Sequence, residues 1–200
     1  MSDIKKRART YFRLGEQYTA TAALALNTLI TGGNSNAGLG STAEEAYAQM
    51  ITNSSQSDLY LFVPAIFCCL QSTELYAKGL LLLNDIEIDD THEIQNLLDK
   101  LQAKYNPKSS IYKTFHKIYY SQQEILKEYR QKNQISNAQD LYISLRYPES
   151  TSGAQYEYTP LMCNGDVGIK LFKKLYDLIM DIKHQVWIEY NNLYDDSGAG

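Results

Sequence analysis

Arg146 is the residue of this 200-residue chain best placed for ligand chemistry. It lies in LYISLRYPES, an apolar and aromatic segment, directly before Tyr147 and Pro148. A guanidinium is planar, always charged, and carries donors that match the oxygens of carboxylates and phosphates. In such a place it is either paired with a buried carboxylate such as Glu74 or held out toward a phosphate or carboxylate ligand. His92 is the second candidate. It stands in the first turn of a predicted helix, DTHEIQNLLDKL, where backbone N–H groups face outward. A local capping or packing role is its simpler reading. Glu74 and Lys78 form the third. They are spaced i,i+4 in the favourable order, either as a modest surface pair or as a polar seam lining a cleft. Tyr142, Tyr147 and Tyr156 carry ring faces near Arg146 on which a base could stack.

Other chemistries find no footing. The three histidines, His92, His116 and His184, fall in different predicted helices without HExxH spacing, so neither a metal nor a cofactor is expected. Cys68 and Cys69 are adjacent within an apolar run and read as small core residues. With Cys163 they make an odd count without CxxC spacing, which supports neither a disulfide framework nor a zinc site. There is no GxSxG, and no catalytic residue is assigned. The stretch TGGNSNAGLG resembles a phosphate loop in composition only, since it lacks GxxxxGK[ST] and a preceding strand. A net charge of −4 argues against a bulk cationic nucleic-acid binder while leaving room for a local basic site. Lys5, Lys6, Arg7, Arg9 and Arg13 form such a basic stretch, read as a solvated face or as a contact for phosphates or an acidic partner. The 17 tyrosines suit amphipathic helix edges or, in the alternative, stacking platforms for bases.

The elements that must position these residues are helical. Leu59 to Asn84 is apolar nearly all round and is expected to be the central helix of a bundle, starting or kinking at Pro64. Its twelve-residue apolar run before Gln71 is too short to span a bilayer, which takes about 20 residues. Ile4 to Ile30 reads as a first long helix with Tyr11, Leu14, Tyr18, Ala22 and Ala25 on one face. Ser41 or Thr42 caps a short helix through Met50. Asp90 opens a helix at Thr91 as a capping box with Glu93. Further helices span about 110–133 and 166–194. Between them, LYISLRY and QYEYT alternate around the turn chemistry of PESTSGA, so a short extended or hairpin excursion is expected near 140–160, or else a continuation of the preceding helix to Tyr147. The fold class is all-α: an up-and-down bundle of four to six helices. It forms a single domain over 1–196, with a flexible loop at 31–40 and a disordered tail at 195–200. The basic N-terminus lacks the apolar run of a signal peptide, so a cytoplasmic location is expected, without a membrane partner.

Three pieces in fixed order add a resemblance. They are STELYAKGLLL, THEIQNLLDKL, and RYPES followed by YEYT and DVGIKLFKKLYDLI. Together they resemble the HEPN domain superfamily, most closely the non-nucleolytic branch found beside minimal nucleotidyltransferases and in sacsin. The resemblance implies a helical bundle that pairs into a homodimer around a cleft. In nuclease members an Arg-x(4–6)-His motif cleaves RNA. None of Arg7, Arg9, Arg13, Arg130 and Arg146 has a His four to six residues later, and a carboxylate such as Glu149 is repelled by a phosphate. The expected function is therefore a non-catalytic binding module for a nucleotide or an RNA phosphate, held by Arg146, Lys78, His92 and Glu74 with Tyr142, Tyr147 and Tyr156. The alternatives are a ribonuclease toxin of a toxin–antitoxin or defence system with an atypical site, acting without metal, and a homodimeric antitoxin-type protein with a nucleotidyltransferase partner.

Overall fold

A computed structural model describes residues 3–33, 42–45, 47–48, 57–88, 92–162 and 165–195. Among them are six α-helices: α1 (Asp3–Thr31), α2 (Asp58–Leu83), α3 (Ile94–Lys104), α4 (Ser110–Lys132), α5 (Ala138–Ser144) and α6 (Gly165–Asp195), with a 3-10 turn at Thr159–Leu161 before α6. The chain is an all-α bundle. The long helices α1, α2, α4 and α6 build it, and α2 touches α1, α3, α4 and α6. Most of the expected loop beyond Gly33, Met50, Asp90, Thr91, Cys163 and the tail after Asp195 lie outside the described residues.

The centre of the bundle is the helix whose sequence demands it. Phe62, Ala65, Ile66, Cys69, Leu70, Tyr76, Leu80 and Leu81 of α2 are all shielded from solvent. The helix starts at Asp58 and runs through Pro64, six residues earlier than one of the two expected starts. By length and composition Tyr60–Leu83 could cross a membrane, because the polar insert does not break the helix; 83% of that apolar window is buried by the bundle itself.

The largest contact, α1 on α2, corrects the expected face of α1. Its buried residues are Ala8, Phe12, Gly15, Thr19, Ala22, Leu26 and Leu29, alternating in steps of four and three. That is a heptad seam. Leu14 is exposed and Tyr11 and Tyr18 are only half-buried. The seam shares only Ala22 with the expected face of Tyr11, Leu14, Tyr18, Ala22 and Ala25, and it places the small residues Ala8, Gly15 and Thr19 among Phe12, Leu26 and Leu29. A Cβ built on Gly15 would come within 2.9 Å of the Tyr76 ring, and one on Gly79 within 2.8 Å of the Phe12 ring. Each helix thus supplies a glycine gap for the other's aromatic ring. Thr19 donates from Oγ1 to the Tyr76 hydroxyl at 3.1 Å, which satisfies that buried oxygen.

Two other expectations change in detail. The start of the predicted 91–105 helix moves to Ile94, with Glu93 as its N-cap residue and no side-chain cap, so His92 precedes the helix. The 138–144 part of the expected extended excursion is the helix α5. The hairpin is confined to 148–156, with a single bridge between Glu149 and Gln155 and Gly153 at φ +82° in its turn. Thr42 does cap the short helical stretch after it, accepting from Glu45 N at 3.1 Å.

Candidate functional site

Positioning begins with α5, a seven-residue helix too short to hold itself. Both of its ends are held by hydrogen bonds. At the N-terminus the Asn137 side chain accepts from Asp140 N at 2.8 Å, and Glu93 Oε1 accepts from Ala138 N at 3.2 Å. At the C-terminus four carbonyls have no partner within the helix. Leu141 O receives Leu145 N, and Ile143 O receives both Arg146 N and Tyr147 N. Ser144 O receives the hydroxyls of Tyr129 and Tyr158 at 3.2 and 2.6 Å. Tyr142 O receives Arg146 Nε at 3.0 Å. Arg146 is thus the cap of the helix that carries Tyr142.

Beneath α5 lies a buried charge cluster. Lys78 Nζ and Glu74 Oε1 are 2.8 Å apart, and their side chains are 9% and 4% exposed. They face the core, so the surface-pair reading is corrected. The i,i+4 spacing brings them together, and α5 with the 92–93 segment covers them. His92 Nδ1 lies 3.1 and 3.2 Å from the two oxygens of Glu74. Its ring is stacked on Tyr142 at 4.8 Å between centroids. With Nδ1–H directed at the carboxylate, Nε2 is left as the second ring nitrogen on a side chain 37% exposed. Tyr142 is buried, with its ring also edge-on to Phe67. Its hydroxyl meets no partner at full hydrogen-bond geometry among the described residues. Burial pushes its phenol well above the usual pKa, the nearby Glu74 carboxylate adds to this, and the Arg146 guanidinium pulls the other way.

Arg146 itself is exposed and takes part in no ion pair among the described residues. Of its two expected states, pairing with Glu74 is therefore not the one adopted: Lys78 and His92 occupy that carboxylate. The guanidinium carbon stands 6.0 Å from the centre of the Phe67 ring and 5.7 Å from that of Tyr147, a cation–π arrangement that orients the head. With Nε on Tyr142 O, the two terminal NH₂ groups are without a partner among the described residues. They form the fork that binds phosphate or carboxylate oxygens in pairs.

The structure thus brings Glu74, Lys78, His92, Tyr142 and Arg146 together, with Tyr147 beside Arg146. It separates their roles. Glu74 and Lys78 are internal and Tyr142 has no face free for a base, a correction to its expected stacking role; the space around its ring is filled by His92 and Phe67. Tyr156 lines a different wall, a cavity of 530 Å³ at the start of α2. His92 and Tyr142 also line a small pocket of 140 Å³ beside Arg130. The Arg130 guanidinium is committed to Ile135 O, Ser136 O and Gln123 Oε1, so it fastens the loop before α5. Sequence reasoning missed Phe67, the platform under Arg146, and Tyr158, whose hydroxyl holds the Arg146 turn through Ser144 O and Tyr147 O. Phe67 lies in an unbroken apolar run that gives no sign of a half-exposed face.

The described residues contain no group of three or more His, Cys, Asp or Glu side chains able to hold a metal ion. Burial raises the thiol pKa of Cys68 and of Cys69, so both stay protonated core residues.

The family model described as HEPN domain matches residues 41–163, more than half of the chain. The match covers α2 to α5 and therefore the whole cluster from Glu74 to Arg146. No curated protein matches the chain, and no solved structure does.

Proposed function

This chain belongs to the HEPN domain family, and from that premise we propose that it is a binding module holding the phosphate of a nucleotide or of RNA on Arg146, without cleaving it. One observation carries the reading. The Arg146 guanidinium is anchored through Nε, oriented by Phe67 and Tyr147, and left with its terminal NH₂ pair facing solvent. A charge held by its neighbours and left unpaired is prepared for an anion, and the fork selects one with two adjacent oxygens. His92, oriented by Glu74, is the neighbouring contact through Nε2. Lys78 supports Glu74 rather than the ligand. The missing Arg-x(4–6)-His spacing supports binding over cleavage.

The test is thermal stability with nucleotides and short RNA. Ligand binding to the folded state raises the melting temperature by mass action. A rise in the wild type that is lost in Arg146→Ala is expected. Equal melting curves with and without every nucleotide and RNA tried would overturn the reading.

The contact between His92 and Glu74 favours a second reading, a metal-independent ribonuclease with an atypical site. A carboxylate at Nδ1 fixes the imidazole for proton transfer at Nε2. RNA cleaved in the presence of a chelator by the wild type, and left intact by His92→Ala, supports it. The binding reading includes a homodimer. A stable complex with a nucleotidyltransferase that survives Arg146→Ala would instead move the function to a partner interface.

A further inference from the structure

We infer that Arg146 is one end of a composite site whose other end is the aromatic cavity at the start of α2, and that this site takes a nucleoside phosphate, with the base in the cavity and the phosphate on the guanidinium. The inference rests on the phosphate reading above and adds the base to it.

The cavity holds 530 Å³, within the range of about 300–1,000 Å³ usual for small-ligand sites. Tyr60, Val63 and Pro64 of α2 form one wall, and Tyr156, Tyr158 and Met162 form the facing one. At about 100° per residue, positions 60, 63, 64 and 67 fall on one face of a helix. They are also the part of α2 that the bundle leaves open: Tyr60 is 49% exposed, Pro64 is exposed, and Val63 and Phe67 are half-buried. The stripe ends at Phe67, with the Arg146 guanidinium above it. Phe67 lies about one helical turn, roughly 5.4 Å of backbone rise, beyond Val63 and Pro64, so the stripe leads from the cavity wall to the ring on which the cation rests. In a bound nucleoside phosphate the ribose would lie over Phe67, between the base and the phosphate.

A second connection is independent of α2. Tyr158 lines the cavity, and its hydroxyl donates to Ser144 O and Tyr147 O on the turn that presents Arg146. Its ring is stacked on Tyr129. The neighbouring backbone is clamped by Asn133, which accepts from Glu157 N at 2.7 Å and donates to Glu157 O at 3.0 Å. The two ends are thus held in a fixed relation before any ligand arrives, which reduces the ordering cost of binding.

Charge sets the orientation. Asp58 and Glu157 also border the cavity, Asp58 buried and Glu157 Oε2 3.5 Å from Lys132 Nζ, and no lysine or arginine is among its described lining residues, so a phosphate finds its cation at Arg146 rather than there. An aromatic base is suited to the tyrosine faces. The phosphate then lies toward Arg146.

The experiment measures equilibrium binding of adenosine 5′-monophosphate, ribose 5-phosphate and a short oligoadenylate RNA to the full chain. Tyr156→Ala is expected to weaken the monophosphate about tenfold, in keeping with one lost stacking contact. It leaves ribose 5-phosphate unchanged, and Tyr156→Phe keeps wild-type affinity. Tyr60→Ala behaves like Tyr156→Ala, and Arg146→Ala weakens all three probes. Tighter binding of the RNA with the same dependence on Tyr156 supports the site with RNA as source. Equal binding with that dependence supports it with free nucleotide. If Arg146→Ala weakens binding while both tyrosine variants match the wild type, the base site is overturned and the phosphate reading survives. If Arg146→Ala binds every probe as the wild type does, both fall. Tyrosine variants that change only the oligomeric state in sedimentation would also overturn the inference, because the cavity would then be an interface between copies.

Discussion

His92 Nδ1 faces both oxygens of the buried Glu74 carboxylate, at 3.1 and 3.2 Å, while Lys78 Nζ holds one of them at 2.8 Å. One carboxylate therefore balances a buried ammonium and orients a half-exposed imidazole. Removing it leaves Lys78 without its counter-charge inside the bundle. Glu74→Ala should destabilise the protein by about 3–5 kcal/mol, the range for breaking one side of a buried pair. The double variant Glu74→Gln with Lys78→Met should recover most of this loss, because both charges then leave together. Urea unfolding of Glu74→Ala, Glu74→Gln, Lys78→Met and the double variant measures it. A cost for Glu74→Ala below about 1 kcal/mol, as at a surface pair, would contradict the burial argument.

The glycine gaps between α1 and α2 give a second prediction. Alanine is the better helix former by about 1 kcal/mol. At Gly79 the new methyl would stand 2.8 Å from the buried Phe12 ring, which itself packs edge-on against Tyr190. Overpacking costs about 1–3 kcal/mol and should outweigh the propensity gain. Gly79→Ala should lower the melting temperature, and Phe12→Leu in the same chain should recover part of the loss. A melting temperature raised by Gly79→Ala would show that the helices are further apart than described.

Alkaline pH should unfold the chain through its inner tyrosines. Burial pushes the Tyr76 phenol up to about 12, with the Thr19 hydrogen bond partly opposing and Glu16 adding to it. The folded state therefore keeps its proton longer than the unfolded chain does. The associated stability is complete below the unfolded value of about 10 and is lost as pH rises from there through about 12. Tyr105 and Tyr129 are displaced in the same direction, chiefly by burial. Phenolate absorbance should show surface tyrosines titrating first and the inner ones only with loss of helical circular dichroism. A single titration of all 17 near pH 10 with the helix signal intact would contradict it.

The thiols offer a simple control on the core. Cys68 and Cys69 are buried, with pKa values raised by desolvation. A thiol reagent at neutral pH should modify neither in the native protein and both in denaturant, read by mass spectrometry of the peptide that carries them. Fast native labelling of Cys69 would mean that α2 is not the centre of the bundle.

The bundle was legible because its period is strong. The boundaries of α2, α4 and α6 lie within about two residues of the sequence reading. The seam of α1 was not legible, since Ala8, Gly15 and Thr19 carry little hydrophobic signal and matter only opposite Phe12 and Tyr76 of the packed pair. The helix α5 was hidden by LYISLRY, which alternates like a strand. Its conformation is fixed by partners far along the chain, Glu93 and Tyr158, which no local pattern reveals. Arg146, Glu74 and Lys78 stand out in the sequence as charged residues within apolar segments, and His92 by its place at the start of a helix. Their division into internal support and solvent-facing head depends on which of them pairs with Glu74, and that is set by the packing of segments distant in sequence.

The central claim is that the Arg146 fork holds a phosphate. Its most direct test is the dissociation constant of a nucleotide and of a short RNA at one fixed salt concentration, for the wild type, Arg146→Ala and Arg146→Lys. Two charge-assisted hydrogen bonds predict a loss of about a hundredfold or more in Arg146→Ala. Arg146→Lys should recover little, because an ammonium lacks the planar pair of donors. Wild-type affinity in Arg146→Ala, with its fold intact by circular dichroism, would contradict the account.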